Sequence, residues 1–170
     1  MKVLFRANNC VVRRIEENDL QRTLEVYQQV EDFLFLGLVA KASMEMVQAD
    51  IEHSKKSGGL FCVIDDRNGN QIGVIDFVPE TTKGTAFLSL LMISQKHRHQ
   101  GNGQAIVNNL ESYLKQNYGT HTIESGVQTN NSAGIAFWKR CGFEIGQTAK
   151  ALNDGTVVYD MKKYLAYIAL

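Results

Sequence analysis

The chain has 170 residues, 44% of them hydrophobic and 21% charged, with 18 Lys and Arg balanced by 18 Asp and Glu. That length and composition fit one globular domain spanning 1–170, and a formal net charge of +0 argues against a nucleic-acid binder built on phosphate contacts. The longest apolar run, at 33–40, is far below the roughly 20 residues a membrane span needs, and the opening stretch is too short for a secretion signal, so a soluble, cytoplasmic protein without a membrane partner is expected.

A first strand is predicted at 11–15, followed by a helix from an Asp19 N-cap to Val30, with Leu20, Leu24 and Tyr27 on one face. Ser43 is placed to cap a second helix to about Lys55, which Ser57-Gly58-Gly59 ends. Two β-rich runs, 60–64 and 71–78, flank Asp65-Asp66-Arg67-Asn68-Gly69-Asn70, a strong hairpin signal. The apolar run 87–93 reads as a buried strand, and 104–117 as an amphipathic helix with Ile106, Val107, Leu110 and Leu114 on one stripe. A strand at 122–128, a short helix at 131–141 with Gly142 at its C′ position, and a hairpin of 145–152 and 156–161 complete the chain. The order β-α-α-β-β-β-α-β-α-β-β, with three hairpin-linked strands in succession, excludes a purely parallel doubly wound sheet. The expected fold class is α/β (α+β): a mixed, mostly antiparallel central sheet of about seven strands flanked by four helices.

The most informative residues are Arg98-His99-Gln100-Gly101-Asn102-Gly103, between the strand 87–93 and the helix that follows. A strand, a glycine turn and a helix start form an anion cradle, because free N–H groups point outward and the helix dipole adds partial positive charge. Gly101 and Gly103 are expected to let the backbone approach a phosphate closely. The pattern is not G-x-G-x-x-G, which weakens a Rossmann reading, and no Gly-Lys-Ser/Thr follows, which rules out a Walker A loop. Cys10, Cys62 and Cys141 are widely spaced, and no metal-ligand pattern joins them to His53, His97, His99 or His121; no metal is expected.

The glycine turn resembles the Arg/Gln-x-x-Gly-x-Gly/Ala signature of the GNAT superfamily of acyl-CoA-dependent N-acetyltransferases. Further matches stand at the right distances: Leu91-Met92-Ile93 before the turn, Val127 to Asn131 followed by Gly134-Ile135-Ala136-Phe137-Trp138 and Gly142-Phe143, and Val157-Val158-Tyr159-Asp160-Met161 near the end. The resemblance covers nearly the whole chain. It implies a GNAT-like fold with acetyl-CoA as co-substrate. The pyrophosphate is expected on the N–H groups around His99 to Gln104, with Arg98 and His99 adding charge. The pantetheine arm is expected along Leu91, Met92 and Ile93, with Asn131 bonding it and Phe137 packing near it. For Asn131 a plain helix N-cap is the alternative, and for Phe137 a core aromatic.

The implied reaction is direct attack of a neutral amine on the thioester. It needs a base for the amine, a donor for the developing oxyanion and a way for the thiolate to leave. The resemblance assigns the oxyanion to a backbone N–H of Met92 or Ile93. Trp138 stands seven positions after Asn131, where many members carry an acidic tyrosine, and Gly126 stands five before it, where N-terminal acetyltransferases often carry a glutamate. Indole does not release a proton at neutral pH, but thiols titrate near ~8.5, so the thiolate leaves tolerably without an acid. Glu124, on the same strand face as Gly126, and Asp76, among apolar neighbours, are the candidate bases, each with a hydrogen-bonded structural carboxylate as its alternative. Tyr159 reads as a structural tyrosine and Cys141 as a small core residue. Acceptor selection is implied for 31–39, where Glu31 and Asp32 are placed to attract a cationic amine, and for the last hairpin. The apolar tail 164–170 packs on the domain or on a second subunit, so a homodimer is one option. The expected function is acetyl transfer to a primary amine of a small molecule, with a protein amine, a longer acyl group and a non-catalytic acyl-CoA-binding module as the alternatives.

Overall fold

In the computed structural model, which describes residues 1–37 and 41–166, the chain opens with a hairpin of β1 (Val3–Ala7) and β2 (Cys10–Arg14). A 3-10 turn (Glu17–Asp19) leads into α1 (Leu20–Gln28), a short α2 (Glu31–Leu34) and α3 (Met44–Lys56). Strands β3 (Leu60–Asp66), β4 (Gln71–Thr82) and β5 (Thr85–Ile93) form an antiparallel meander. A second 3-10 turn (Gln95–His97) precedes α4 (Asn102–Tyr118), β6 (Thr122–Gln128), α5 (Ser132–Arg140), β7 (Glu144–Ala151) and β8 (Val157–Tyr164). All strands join one sheet in the order β1-β2-β3-β4-β5-β6-β8-β7, antiparallel except where β5 meets β6.

The expected mixed sheet is present, with eight strands rather than about seven and with α2 added to the four expected helices. β1 is an edge strand with a single buried residue, Ala7, so it carries little periodic signal. Asp19 does not cap α1 with its side chain, as the sequence suggests. Its carboxylate accepts instead from the Glu16 N–H and from the guanidinium of Arg13, at 2.8 and 2.7 Å. Ser43 does cap α3, accepting from the Met46 N–H. In the β3–β4 turn, Asp66 accepts from the N–H groups of Asn68 and Asn70, with Gly69 at φ 79°.

Two apolar layers cover the two faces of the sheet. Ile106, Val107, Leu110 and Leu114 of α4 pack with Ile75, Phe77, Leu88 and Ile123 on one side. Tyr27, Val30 and Val47 pack with Phe61, Val74 and Met92 on the other. Each fully buried aliphatic side chain of this size contributes about 1.5–3 kcal/mol. On the face that carries α1 to α3 lies a buried ion cluster: Arg13 forks onto Asp19 through both terminal nitrogens (2.7 and 2.8 Å) and donates to Asp65 through Nε at 2.7 Å. It ties β2 and β3 to the start of α1. Residues 167–170 of the apolar tail and residues 38–40 of the acceptor segment lie outside the described residues.

Candidate active site

β5 and β6 run parallel but pair only over Thr85–Phe87 and Thr122–Glu124. Beyond that point each strand continues, β5 to Ile93 along β4 and β6 to Gln128 along β8, leaving a gap between them. The cause is local. Leu88 lies opposite Phe77 and Leu90 opposite Asp76, so Ser89 is an extra residue in β5. A bulge of this kind bends its strand and raises the local twist. Ser125 holds the apex, its hydroxyl donating to the Leu88 carbonyl at 2.6 Å.

The ladder also decides which backbone groups face the gap. The Ser94 N–H donates to Ile72 on β4 at 2.8 Å. Backbone groups alternate along an antiparallel pair, so Met92 is turned to β4, while Leu91 and Ile93 are turned toward the gap. This corrects Met92 as an oxyanion candidate and leaves Ile93. The Ile93 carbonyl is already taken, accepting from Arg98 Nε at 2.9 Å.

The glycine turn follows directly. His99 has φ 59° and Gly101 φ 77°, and α4 makes its first bond from the Ala105 N–H to the Gly101 carbonyl. The N–H groups of Asn102, Gly103 and Gln104 precede that bond. Left-handed residues alternating with helical ones gather such groups into an anion-binding concavity. A side chain on a left-handed residue is strained, so His99 stores backbone energy beside this concavity. A Cβ at Gly101 meets nothing within 4 Å. Gly103 has a further, packing role. Its Cβ would stand 3.1 Å from the ring of Phe137, so this glycine lets α4 close onto α5.

Other expected cofactor residues are similarly divided. His99, Gln100 and Gln104 are exposed on the turn, with Gln100 Nε2 donating to the Lys96 carbonyl at 3.0 Å. Asn102 turns inward, donating to the His97 carbonyl at 3.2 Å and meeting the Cys10 thiol, and so fastens the turn to the β1–β2 hairpin. Arg98 reaches across to α2, where its two terminal nitrogens fork onto Asp32 at 2.7 and 3.2 Å. Asn131 caps α5, accepting from the Gly134 N–H at 2.9 Å, and Gly134 leaves room for that side chain. Phe137, Trp138 and Phe143 form an edge-to-face aromatic group with centroids 4.8 and 5.2 Å apart.

Glu124 is exposed at the apex, beside Phe87 on β5 and Lys162 on β8. Its neighbours Ile123 and Val127 belong to the α4-side layer, so Glu124 and Gly126 stand on the face that carries α1 to α3. Asp76 does not face the gap. It is buried under α3, where the Ser54 hydroxyl donates to it at 2.5 Å, and burial pushes its carboxyl above the ordinary range, with Asp50 adding to the rise. Asp50 itself accepts from the Tyr27 hydroxyl at 2.7 Å and is also raised by burial. A carboxylate raised on folding costs stability while ionised, and the cost fades as pH falls through the raised value toward 3.8. Asp76→Asn, which keeps an acceptor for Ser54, is therefore expected to raise Tm at pH 8, by less near pH 4, and to leave turnover unchanged. A collapse of kcat in the folded variant would return Asp76 to the base role. Tyr159 packs in the α4-side layer, and Cys141 is buried, its thiol pushed up to about 11.

The family model for the acetyltransferase (GNAT) family matches residues 21–143. The chain belongs to this family. Among curated proteins no significant match is found. Among solved structures, an acetyltransferase from Salmonella typhimurium that modifies the N-terminal serine of ribosomal protein L7/L12 is similar at TM-score 0.79 and 15% identity, covering 97% of this chain and 100% of that one. A ribosomal L7/L12 α-N-protein acetyltransferase is similar at TM-score 0.78 and 17% identity, over 96% and 94% of the two chains. Spermidine N-acetyltransferase from Vibrio cholerae, in complex with CoA and spermine, is similar at TM-score 0.69 and 16% identity, over 92% and 95%. These GNAT structures share the fold. Among the described residues no helix is long and apolar enough to cross a membrane, and no cluster of His, Cys, Asp or Glu is placed to hold a metal ion.

Proposed function

We propose that this GNAT chain moves an acetyl group from acetyl-CoA to the primary amine of a small molecule. The gap between β5 and β6, ending on a turn with outward N–H groups and an open Gly101, fits an extended thiol arm with a pyrophosphate at its end. Bound there, acetyl-CoA supplies an activated acetyl thioester. The chain's own part is to hold the phosphates on 99–104, to present the Ile93 N–H to the developing oxyanion, and to accept the amine's proton. Glu124, on the acceptor face at the apex, takes that proton through a water.

The observation that favours a small acceptor is the segment 31–37. One end is tied to the turn after β5 by Asp32 and Arg98, and the other to the turn after β6, where Asn130 Nδ2 donates to the Leu36 carbonyl at 3.0 Å. It crosses the gap and restricts what enters. The neighbouring structures include acetyltransferases of both a polyamine and a protein, so the fold itself favours neither.

The test is thermal unfolding with acetyl-CoA, CoA and ATP, followed by thiol release with small amines and N-terminal peptides. Saturation at 100 times Kd is expected to stabilise the fold by about 2.7 kcal/mol, with CoA species but not ATP, and small amines are expected to turn over. Robust peptide acetylation with inert small amines would overturn the acceptor assignment. Binding without any turnover would favour a non-catalytic acyl-CoA module.

A further inference from the structure

The motif arginine of a phosphate-binding turn is in an unexpected place. Arg98 does not extend into solvent beside the cradle; its guanidinium is held by the Ile93 carbonyl on one edge and by Asp32 on the other. The three groups come from the end of β5, the turn after it and α2. Asp32 is held below the ordinary carboxylate range, chiefly by the hydrogen bond from Arg98. Both side chains keep solvent contact, at 27% and 53% exposure, so the pair is weak enough to be exchanged for a stronger anion.

The segment that Asp32 begins is fastened at two places. Phe33 and Leu34 sit against the layer that contains Met92 and Leu90 of β5. Asn130 donates to the Leu36 carbonyl, and a Cβ at Gly37 would stand 3.3 Å from Gln128 Nε2. The strap therefore runs from the lip of β5 to the lip of β6, over the carboxyl ends of the two strands that separate.

We propose that Asp32 and Arg98 form a latch through which an anion on the glycine turn controls the strap over the acceptor entrance. A pyrophosphate seated on the N–H groups of 99–104 competes with Asp32 for the same guanidinium. It carries more charge than a carboxylate and offers oxygens for a forked contact. Arg98 then leaves Asp32, and the strap loses its polar fastening on the β5 lip, where the apolar contacts of Phe33 and Leu34 alone hold it, while keeping the Asn130 contact on the other. Acceptor entry is thereby coupled to an occupied phosphate site. By linkage the coupling is reciprocal: an amine that needs the open strap tightens CoA binding by the same factor. This inference rests on the acyl-CoA reading of the turn.

Hydrogen exchange on the full chain tests it. The amides of Phe35, Leu36 and Gly37 donate to the carbonyls of Glu31, Phe33 and Leu34 and report the state of the strap. CoA is expected to speed their exchange, whereas pantetheine, which lacks the phosphates, at a concentration giving an equal thermal shift is not. Asp32→Asn is expected to exchange fast without ligand and to bind CoA about twofold to fivefold more tightly, as removal of a competing exposed ion pair predicts. Glu25→Gln, which removes an exposed charge on α1 and leaves the fork intact, is the control expected to change neither. Unchanged or slower exchange in a protein whose Tm rises with CoA would overturn the latch and leave the cofactor reading standing. Equal acceleration by pantetheine would likewise reject it, because the phosphates would not be the trigger. Absence of any CoA-dependent shift would remove the cofactor reading and the latch together.

Discussion

Replacing Arg13 with alanine is expected to cost about 3–5 kcal/mol of folding stability, because it leaves buried carboxylates without their counter-charge. Arg13 is 4% exposed, Asp19 2% and Asp65 7%, and all three Arg13 hydrogen bonds to them are 2.8 Å or shorter. Arg22 remains on Asp19 after the substitution, but nothing described replaces the Nε contact to Asp65, whose other oxygen has no hydrogen-bond partner among the described residues. The pH dependence carries the sign. The Arg13 guanidinium holds Asp19 at about 2, below its ordinary 3.8. A depressed carboxylate adds stability that is fully present above 3.8 and is lost as pH falls through about 2. The deficit of Arg13→Ala should therefore be widest at neutral pH and should narrow as pH falls from 3.8 toward 2. Urea unfolding with an unchanged m-value reads it. A deficit under about 1 kcal/mol at neutral pH would mean the cluster is solvated and behaves as a surface pair. The cluster matters for function because α1, which it anchors, leads directly into the strap.

The elements that could be read from the sequence are those whose signals are local. The stripe Ile106, Val107, Leu110 and Leu114, the Ser43 cap, the Asp66-to-Asn70 turn and the Gly142 helix end each depend on neighbours a few residues away. The glycine turn belongs with them, since a strand, αL positions and a helix start are written consecutively. Where the outcome depends on distant partners, the sequence reading went astray. Asp19 looks like an N-cap, but a buried arginine outcompetes the helix N–H groups for its carboxylate. Asp76 looks like a base, but Ser54 and α3 enclose it. Gly103 reads only as a phosphate-facing glycine, and its second task, leaving room for Phe137 on another helix, has no local signal. The Asp32–Arg98 fork joins positions 66 apart and has no sequence signal at all. One missed feature did leave a trace. Phe87-Leu88-Ser89-Leu90-Leu91 breaks the period of two, and that break is the Ser89 bulge that opens the gap.

Gly101 and Gly103 are expected to fail differently when replaced, and the difference separates a phosphate cradle from an ordinary tight turn. The Cβ of Gly101→Val enters open space, but the φ of 77° forces a β-branched residue into the left-handed region. That strain is about 1–2 kcal/mol, small enough to leave the protein folded with its turn reshaped. Losing two hydrogen bonds to a charged acceptor, each of about 1.5–3 kcal/mol, lowers CoA affinity at least about a hundredfold. Gly101→Asn tolerates the same φ far better and is expected to keep most of the affinity. Gly103→Val has no left-handed strain; it drives two methyl groups toward the Phe137 ring and loses stability by overpacking, about 1–3 kcal/mol. Phe137→Ala in the same chain removes that clash but also the ring's own packing, so the double variant is expected to lose less stability than the two single substitutions together. Calorimetric titration with CoA and thermal unfolding on these variants and on Phe137→Ala alone read both effects. If Gly101→Val and Gly101→Asn bind CoA equally well, the backbone geometry at this turn does not hold the phosphates, and the cradle assigned to it is wrong. If the affinity loss instead follows Gly103 and is restored with Phe137→Ala, the α4–α5 contact sets the site, and the turn acts only through the position it gives that helix.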